Sequence, residues 1–391
     1  MSQMALNRLS NLWKLAGLFL HFGTTAFGGP VAHLALMEQE IVVKRGWLSR
    51  SEFLELLDTA VFIPGSNPTK MALLIGYRRG GWLGLLLGGI CFILPATFIV
   101  GVIAWAYITY GKLPLSEGLF YGIKPVAIAV MVQAMWTLGQ RTIRTWLLAI
   151  VGTGALVAGF YGVDLVMILL VAGLLMLAAR ATGQAVQVAA AGAAPLPSSV
   201  PGFKLLSTAG TLAPFSAWPM FLFFLKVGCV MFGSGYVLVA FLHTDFVEHR
   251  QWLTGGQLLD AVAVGQFTPG PWLTAVTFVG YLLGGPEAAL LATAAIFLPV
   301  FVLCATCEPL ISSLRQSRLA GGFLAGVNVA SLAILAVVTW RLGAVALVDW
   351  LTISLAVAAA VWLLFYRVNS TWLILAGAAV GLARFVFQNG F

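Results

Sequence analysis

The chain has 391 residues, of which 61% are hydrophobic and only 9% are charged, and its mean hydropathy is +0.99. Soluble domains carry roughly 25% charged residues, so this composition excludes a soluble protein, leaves no room for a soluble catalytic domain, and predicts an integral membrane protein. No nucleophile with an adjacent base, glycine-rich phosphate loop or metalloprotease motif occurs, so an intramembrane enzyme has no support and we expect the protein not to be an enzyme. The formal net charge of +8 comes from basic residues scattered singly between apolar runs, which is typical of positive-inside topology and not of nucleic-acid binding.

Ten apolar runs follow one another along the chain, and each approaches the roughly 20 residues that an α-helix needs to cross a bilayer. They lie at about 13–35, 82–108, 119–139, 145–162 and 163–179, and then at about 217–242, 286–307, 319–340, 345–366 and 371–387. Arg8 and Lys14 precede the first run, which is too long for the core of a signal peptide, so we expect this span to be retained. The pattern predicts an all-α integral membrane protein.

One sequence unit occurs twice. Phe27 corresponds to Phe232 at an offset of 205 residues, and Gly76 corresponds to Gly280 at an offset of 204, so the register is almost constant. A period this long indicates a duplicated domain and not a solenoid. Between the copies, residues 181–215 are rich in Ala, Gly, Pro, Ser and Thr, which is typical of a flexible linker. We therefore predict a first repeat at 1–180 and a second at 216–391.

Each repeat carries one element whose topology hydropathy leaves open: 53–77 is interrupted at Pro64-Gly65, and 254–282 is interrupted at Pro269-Gly270. If this element crosses as a broken helix, each repeat has six crossings and the repeats are parallel; if it re-enters, each repeat has five and the repeats are inverted. Lys and Arg concentrate on the cytoplasmic side, and the re-entrant arrangement divides the loop Lys and Arg residues twelve to six, against ten to eight for the alternative. The count favours two inverted-topology repeats, each with about five transmembrane helices plus a broken or re-entrant proline-glycine helix pair, and both termini outside.

The proline-glycine breaks are the predicted centre of the functional site. Proline removes a backbone donor and glycine permits unusual dihedral angles, so a helix stops and restarts there. Two helix N-termini aimed inward from opposite sides would offer free N–H groups to an anion. The predicted helix-break residues are Phe27, Gly28, Gly29, Pro30, Pro64, Gly233, Gly235, Pro269 and Pro271. The predicted anion contacts are Gly65, Ser66, Asn67, Thr69, Lys70, Lys124, Lys226, Gly270 and Thr274.

Three of the predicted contacts are lysines within apolar elements, where a charge is costly and therefore indicates a function. Lys70 lies in the first turn after the first break. Lys124 lies near the end of a span and could instead extend its ammonium group to the interface, and Lys226 could be a structural partner for an acid.

Four carboxylates are candidates for carrying a coupling proton: Glu40, Asp58, Asp245 and Asp260. Glu40 corresponds to Asp245 across the repeat, and Glu55 corresponds to Asp260. The alternative is an ion pair at the interface, in which Glu40 or Asp245 would meet a basic residue four or five positions further along. The histidines lack the paired spacing of a metal site, so we expect no metal and no cofactor.

Several motifs are shared by the two halves. The first half contains Phe27-Gly28-Gly29-Pro30, Trp47-Leu48, Pro64-Gly65, Ile75-Gly76-Tyr77 and Lys124-Pro125, and the second contains Phe232-Gly233, Gln266, Thr268-Pro269-Gly270-Pro271, Gly280-Tyr281 and Phe297-Leu298-Pro299. Together they resemble the chromate ion transporter family in its long, two-domain form. The resemblance covers nearly the whole chain outside the linker.

The resemblance implies a secondary transporter of the inner (cytoplasmic) membrane that exports chromate, a tetrahedral dianion similar to sulfate, and that is driven by the proton motive force, for example by antiport. Its expected partners are chromate or sulfate, protons and the lipid bilayer; a homodimer is left open, and nucleic acid is not expected. The family usually has Pro-Gly-Pro in the first loop and an acid near position 70, whereas this chain has Ser66 and Lys70. A sulfate or other oxyanion carrier, a channel, and a membrane assembly protein that transports nothing are the interpretations that the sequence leaves open.

Overall fold

The computed structural model describes residues 3–27, 29–111, 114–181, 215–232, 235–306, 317–366 and 368–389. Within these ranges the chain forms helices joined by short loops, and no strand occurs. Gly28 and Gly233 lie outside the described residues, as does nearly all of the predicted linker at 181–215. The all-α class predicted from the sequence is confirmed for the described part of the chain.

The helices of the two halves follow one another in the same order. In the first half they are α1 (Gln3–Thr25), α2 (Pro30–Glu38), the π-helix π1 (Gln39–Lys44), α3 (Arg50–Ala60), α4 (Asn67–Tyr110), α5 (Pro114–Thr142), α6 (Trp146–Phe160) and α7 (Leu165–Ala181). In the second half they are α8 (Ala217–Val230), α9 (Val237–Leu242), the π-helix π2 (His243–His249), α10 (Gly255–Phe267), a 3₁₀ turn (Trp272–Thr274), α11 (Ala275–Thr306), α12 (Arg318–Ala346), α13 (Trp350–Phe365) and α14 (Ser370–Asn389).

The two halves also share local features that hydropathy does not predict. A π-helix follows α2 and another follows α9. Ser49 closes a capping box at the start of α3, and Thr254, 205 residues later, closes one at the start of α10. Such a box pairs the first free N–H groups of a helix with side chains on both sides of its start. The two halves therefore use the same devices to begin equivalent helices.

Five helical stretches of the described residues are long and apolar enough to cross a membrane: Asn67–Tyr110, Glu117–Thr142, Trp272–Thr306, Leu319–Ala346 and Ser370–Gln388. The helices α6, α7, α8 and α13 are shorter, with 14 to 17 residues, but are also apolar. The protein is a multi-pass membrane protein.

The apolar runs at 13–35 and 217–242, each predicted from hydropathy as one span, contain two helices each, and the interruptions include the predicted helix-break residues Phe27 and Gly235. α1 ends at Thr25 and α2 begins at Pro30, while α8 ends at Val230 and α9 begins at Val237. Hydropathy cannot reveal these interruptions because the residues between the helices are nearly as apolar as the helices themselves.

The chain reverses direction inside α4 and inside α11, which are therefore helical hairpins. The backbone is not helical at Gly81, and a Cβ atom at Gly76 would lie 2.3 Å from the carbonyl oxygen of Gly84. In α11 the non-helical residues are Gly284 and Gly285, and the hydroxyls of Thr277 and Thr293 lie 2.7 Å apart. Two helical arms can approach this closely only where small residues face each other.

Helices from one half pack mainly against helices from the other half around α5 and α12. α5 packs against α13 and α14, and α12 packs against α6 and α7. Glycine permits the closest approaches: a Cβ atom at Gly122 of α5 would lie 1.9 Å from the carbonyl oxygen of Gly377 in α14. A Cβ atom at Gly326 of α12 would lie 2.1 Å from the carbonyl oxygen of Ala172 in α7. The two halves are thus interlocked.

The equivalent helices α3 and α10 differ sharply in burial. All residues from Leu258 to Gln266 of α10 are buried, and this helix packs against α5, α12 and α14. In α3 only Phe53, Leu56 and Ala60 are buried, and its main packing partner is α4. The second half therefore has its short helix enclosed, whereas the short helix of the first half keeps most of one face open.

Candidate functional site

The two proline-glycine loops each reach into the opposite half of the chain. The backbone N–H of Gly65 donates to the carbonyl oxygen of Met231 over 2.8 Å, and that of Gly270 donates to the carbonyl oxygen of Ala26 over 3.0 Å. Donors and acceptors are both 205 residues apart, so the two bonds are equivalent. Gly65 has φ of 108° and Gly270 has φ of 90°, a conformation that other residues rarely adopt. Glycine is needed at both loops.

Beyond the first loop, α4 begins among buried polar groups. Ser66 precedes its first residue without forming a side-chain cap, and the hydroxyl of Thr69 is buried without a hydrogen-bond partner. Lys70 is 1% exposed, and its ammonium group donates to the carbonyl oxygen of Ile63 over 2.8 Å. An ammonium group has three donors, so this bond leaves part of its capacity for another acceptor. Asn67 is partly exposed at the same helix start.

The second loop is surrounded by a different polar set. The hydroxyl of Thr274 donates to the carbonyl oxygen of Pro271 over 2.8 Å, and Thr274 occupies the position equivalent to Thr69. The amide of Gln266 donates to the hydroxyl of Tyr236 over 2.7 Å in the buried interior. The indole nitrogen of Trp272 is buried without a hydrogen-bond partner. Both loops thus lie beside an unpaired buried donor.

A cavity of about 330 Å³ lies beside α10, the helix that precedes the second loop. Its polar lining consists of Tyr107, Glu117, Tyr121, Lys124 and Asp260. The chain around residues 345–348, where α12 ends, completes the wall. Asp260 precedes Thr268 by eight residues of mostly helical chain, which corresponds to roughly 12 Å along the axis. The cavity and the loop are therefore joined by one helix, α10.

In the lining of the cavity, a buried carboxylate lies next to a lysine and a tyrosine. Asp260 is 2% exposed, and its Oδ2 atom accepts a hydrogen bond of 2.9 Å from the hydroxyl of Tyr107. The ammonium nitrogen of Lys124 lies 3.5 Å from Oδ1, and Oδ1 has no hydrogen-bond partner. A Cβ atom at Gly256 would lie 3.3 Å from the Lys124 nitrogen, so a small residue leaves room for the lysine.

A second cluster of polar side chains lies beside the cavity. Asp349 caps the start of α13 and accepts hydrogen bonds from Tyr121 and from Arg384, the latter over 2.6 Å. The guanidinium group of Arg384 also lies 4.1 Å from the centre of the Tyr121 ring, within the range of a cation–π interaction. These contacts tie α5, α13 and α14 together beside the cavity.

The structure does not bring the other predicted charged residues to the cavity. Lys226 is exposed on α8, and Asp58 is exposed on α3. Glu40 pairs with Lys44 and Arg45, and the hydrogen bond from Lys44 lowers the pKa of Glu40. Asp245 likewise pairs with Arg250 over 2.7 Å, in the place equivalent to Glu40.

Three cavity residues escaped the sequence analysis: Tyr107, Glu117 and Tyr121. Tyr107 lies inside an apolar run in which a tyrosine is unremarkable, because its ring suits lipid or core equally well. The hydroxyl group of Tyr107 could have indicated a polar site, but the neighbouring sequence does not show which acid this hydroxyl would reach.

Each half of the chain matches the same known protein family. The family model described as "Chromate transporter" matches residues 13–177 and matches again at residues 218–382. The chain belongs to the chromate transporter family. The two matched segments coincide with the two halves described above, so the chromate transporter family unit occurs here twice.

Full-length relatives agree with this assignment. A chromate transport protein of Cupriavidus metallidurans is 30% identical over 386 residues, covering 96% of this chain and 93% of the relative. A probable chromate transport protein of Synechococcus elongatus is 31% identical, covering 95% of each chain. A chromate transport protein of Pseudomonas aeruginosa is 30% identical, covering 96% of this chain and 92% of the relative. A comparison with solved structures finds no match.

Proposed function

We propose that the protein is a secondary transporter that exports chromate across the inner (cytoplasmic) membrane with coupling to protons. Membership of the chromate transporter family supports the substrate, because the relatives that match nearly the whole chain are described as chromate transport proteins. Chromate and sulfate are both tetrahedral dianions, so sulfate is the natural competitor and belongs in every assay.

In this proposal the two halves are inverted-topology repeats with the anion path between them. The reciprocal bonds from Gly65 to Met231 and from Gly270 to Ala26 support a two-fold relation between the halves. The helical hairpins that follow both loops favour a re-entrant path for each proline-glycine element. Five crossings per repeat also give the stronger positive-inside bias.

The observation that carries the proposal is the placement of Lys124. Its side chain is 27% exposed and lines a cavity between apolar helices, where a charge is expensive unless it has a function. We place a bound anion at Lys124 and the rest of its path at the second proline-glycine loop and at the start of α4, where Thr69 and Lys70 are buried. A lysine and free backbone donors together match the charge and the acceptors of an oxyanion.

The proposal is tested by chromate and sulfate flux in everted membrane vesicles, with and without an imposed proton gradient. Hydrogen bonds to charged groups contribute about 1.5–3 kcal/mol, so Lys124→Gln should lower the flux by about tenfold or more. Lys70→Met, which fills the same space without a charge, should also lower it. The matched control is Lys226→Gln, because Lys226 lies in an apolar helix but is exposed away from the cavity, and its flux should stay within about twofold of wild type.

Two results would count against the proposal in different ways. Absence of flux for both anions in the wild-type protein would remove the transport function. Full flux in Lys124→Gln, together with loss of flux in Lys226→Gln, would move the anion path away from the cavity while leaving the transport function in place.

A further inference from the structure

We propose that Asp260 couples proton binding to anion binding by competing with the transported anion for Lys124. The ionised carboxylate neutralises Lys124 and keeps anions out; a proton on Asp260 releases the lysine for the anion. This inference rests on the proposed function and specifies how the same site would be regulated.

The geometry of Asp260 makes one oxygen available for the proton. Oδ2 already accepts the hydroxyl hydrogen of Tyr107 over 2.9 Å. Oδ1 is buried, has no hydrogen-bond partner, and lies 3.5 Å from the ammonium nitrogen of Lys124. A hydronium ion would transfer its proton to Oδ1: one of its O–H bonds breaks, an O–H bond to Oδ1 forms, and a water molecule is released. The carboxylic acid would then be neutral and could donate to a neighbouring acceptor.

Among the described residues around Asp260, Lys124 is the cation that can exchange this carboxylate for another partner. α5 presents Lys124 and, further along, the exposed Glu117. α4 presents Tyr107, whose ring packs on Phe278 of α11. The structure pairs the other charged groups that it describes on the elements around α10. Arg384 of α14 is bound by Asp349 at the start of α13, and His243 of π2 lies against Glu248, which binds Arg341 of α12.

A dianion and an ionised Asp260 cannot share this lysine without strong repulsion in a poorly solvated site. Anion binding therefore favours protonation of Asp260, and protonation favours anion binding, because coupling between two ligands is reciprocal. The proton and the anion would be bound together and not in alternation. Anion and proton would then cross the membrane in the same direction, as in cotransport, and not in opposite directions, as in antiport.

The duplicated half carries no second copy of this pair. The residues equivalent to Asp260 and Lys124 are Glu55, which is exposed on α3, and Asn328, which has no charge. One chain therefore offers one such switch. One proton moving with one divalent anion transfers a single net negative charge, which an inside-negative membrane potential drives outward.

The test measures chromate binding and proton uptake together, using the purified full-length protein in lipid nanodiscs. At about pH 8, chromate is added in weak buffer; equilibrium dialysis gives the bound anion, and a pH-indicator dye gives the protons taken up. At this pH an ordinary carboxylate is ionised. We expect uptake approaching one proton per bound anion in the wild-type protein, and the same uptake in Asp58→Asn, a control acid that is exposed on α3 outside the cavity.

Asp260→Asn mimics the protonated state. It should bind chromate about tenfold more tightly at about pH 8, with no proton uptake. The thermal unfolding midpoint of Asp260→Asn, compared with that of the wild type, detects a folding defect in this variant. A purely structural role for Asp260 would weaken binding in Asp260→Asn and would leave the uptake unchanged wherever binding persists.

The outcomes separate this inference from the proposed function. If no chromate binds to the wild-type protein, the transport proposal fails and this inference fails with it. If chromate binds without proton uptake, or if proton release accompanies binding, the transport proposal stands and the coupling by Asp260 is wrong. If proton uptake persists in Asp260→Asn but disappears in Glu117→Gln, the proton binds to Glu117, the other acid of the cavity, and the coupling by Asp260 is wrong.

Discussion

The two proline-glycine loops permit a prediction about stability in which each loop is the control for the other. Gly65 and Gly270 occupy equivalent positions and both have positive φ, so alanine is strained at either site. Their surroundings differ. A Cβ atom at Gly65 would find its nearest neighbour, Val300, at 3.5 Å, which is an ordinary contact. At Gly270 it would lie 2.7 Å from the Cβ of Ala96 and 3.1 Å from the carbonyl oxygen of Gly23.

The expected magnitudes follow from these two contributions. A residue held in a sparsely populated backbone region costs about 1–3 kcal/mol, so Gly65→Ala should destabilise the protein by about that amount. Overpacking a well-packed interior costs about a further 1–3 kcal/mol, so Gly270→Ala should cost about 2–6 kcal/mol in total. The neighbours of Gly270 are backbone and a short side chain, which cannot turn away.

Thermal unfolding of the detergent-solubilised variants, followed by tryptophan fluorescence at one scan rate, gives the ranking. The apparent midpoint should fall in the order wild type, Gly65→Ala, Gly270→Ala. Gly154→Ala is the control within a helix, because a Cβ atom there meets nothing within 4 Å; it should be neutral or slightly stabilising. Equal midpoints for Gly65→Ala and Gly270→Ala would refute the close packing of the second loop.

Two further predictions concern burial and helix contact. In a cysteine-free background, Asp58→Cys should react quickly with a membrane-impermeant thiol reagent and Ala263→Cys should not, because these equivalent positions are exposed on α3 and buried on α10; equal labelling would contradict the difference between the two helices. Gly122→Ala should lower the unfolding midpoint by an amount corresponding to about 1–3 kcal/mol or more, because a Cβ atom there would lie 1.9 Å from the carbonyl oxygen of Gly377. Gly139→Ala on the same helix is the control and should be tolerated, because its Cβ atom would have Leu332 as its nearest neighbour, at 3.6 Å.

The sequence was informative where its signals are local or periodic. Composition predicts the all-α membrane class, and the constant offset between Phe27 and Phe232 predicts two copies of one unit. Hydropathy predicts one span at 13–35 because it averages over a break whose described residues are Ala26, Phe27 and Gly29, and only the glycine motif indicates that break. Periodicity records which residues are apolar, and it does not record whether the backbone between them is helical.

The site was harder to predict because its contacts join distant parts of the chain. Lys124 and Asp260 were both candidates, but as an anion contact and a proton carrier in separate elements. That they meet depends on α10 packing against α5, which no local pattern encodes. The sequence likewise could not separate the buried Asp260 from the exposed Asp58, since both lie in short helices before a proline-glycine loop. The roles of both residues remain predictions.

The short helices have a consequence for the lipid around the protein. α6 has 15 residues and α13 has 16, so each is roughly 24 Å long at most, against about 30 Å of hydrocarbon in a typical bilayer. Trp146 and Trp350 begin α6 and α13 with exposed rings, in the manner of residues that anchor to the headgroup level. Local thinning of the bilayer is one way to accommodate helices this short. Because α6 and α13 pack on α12 and α5, lipid thinned in this way would adjoin the helices that border the cavity.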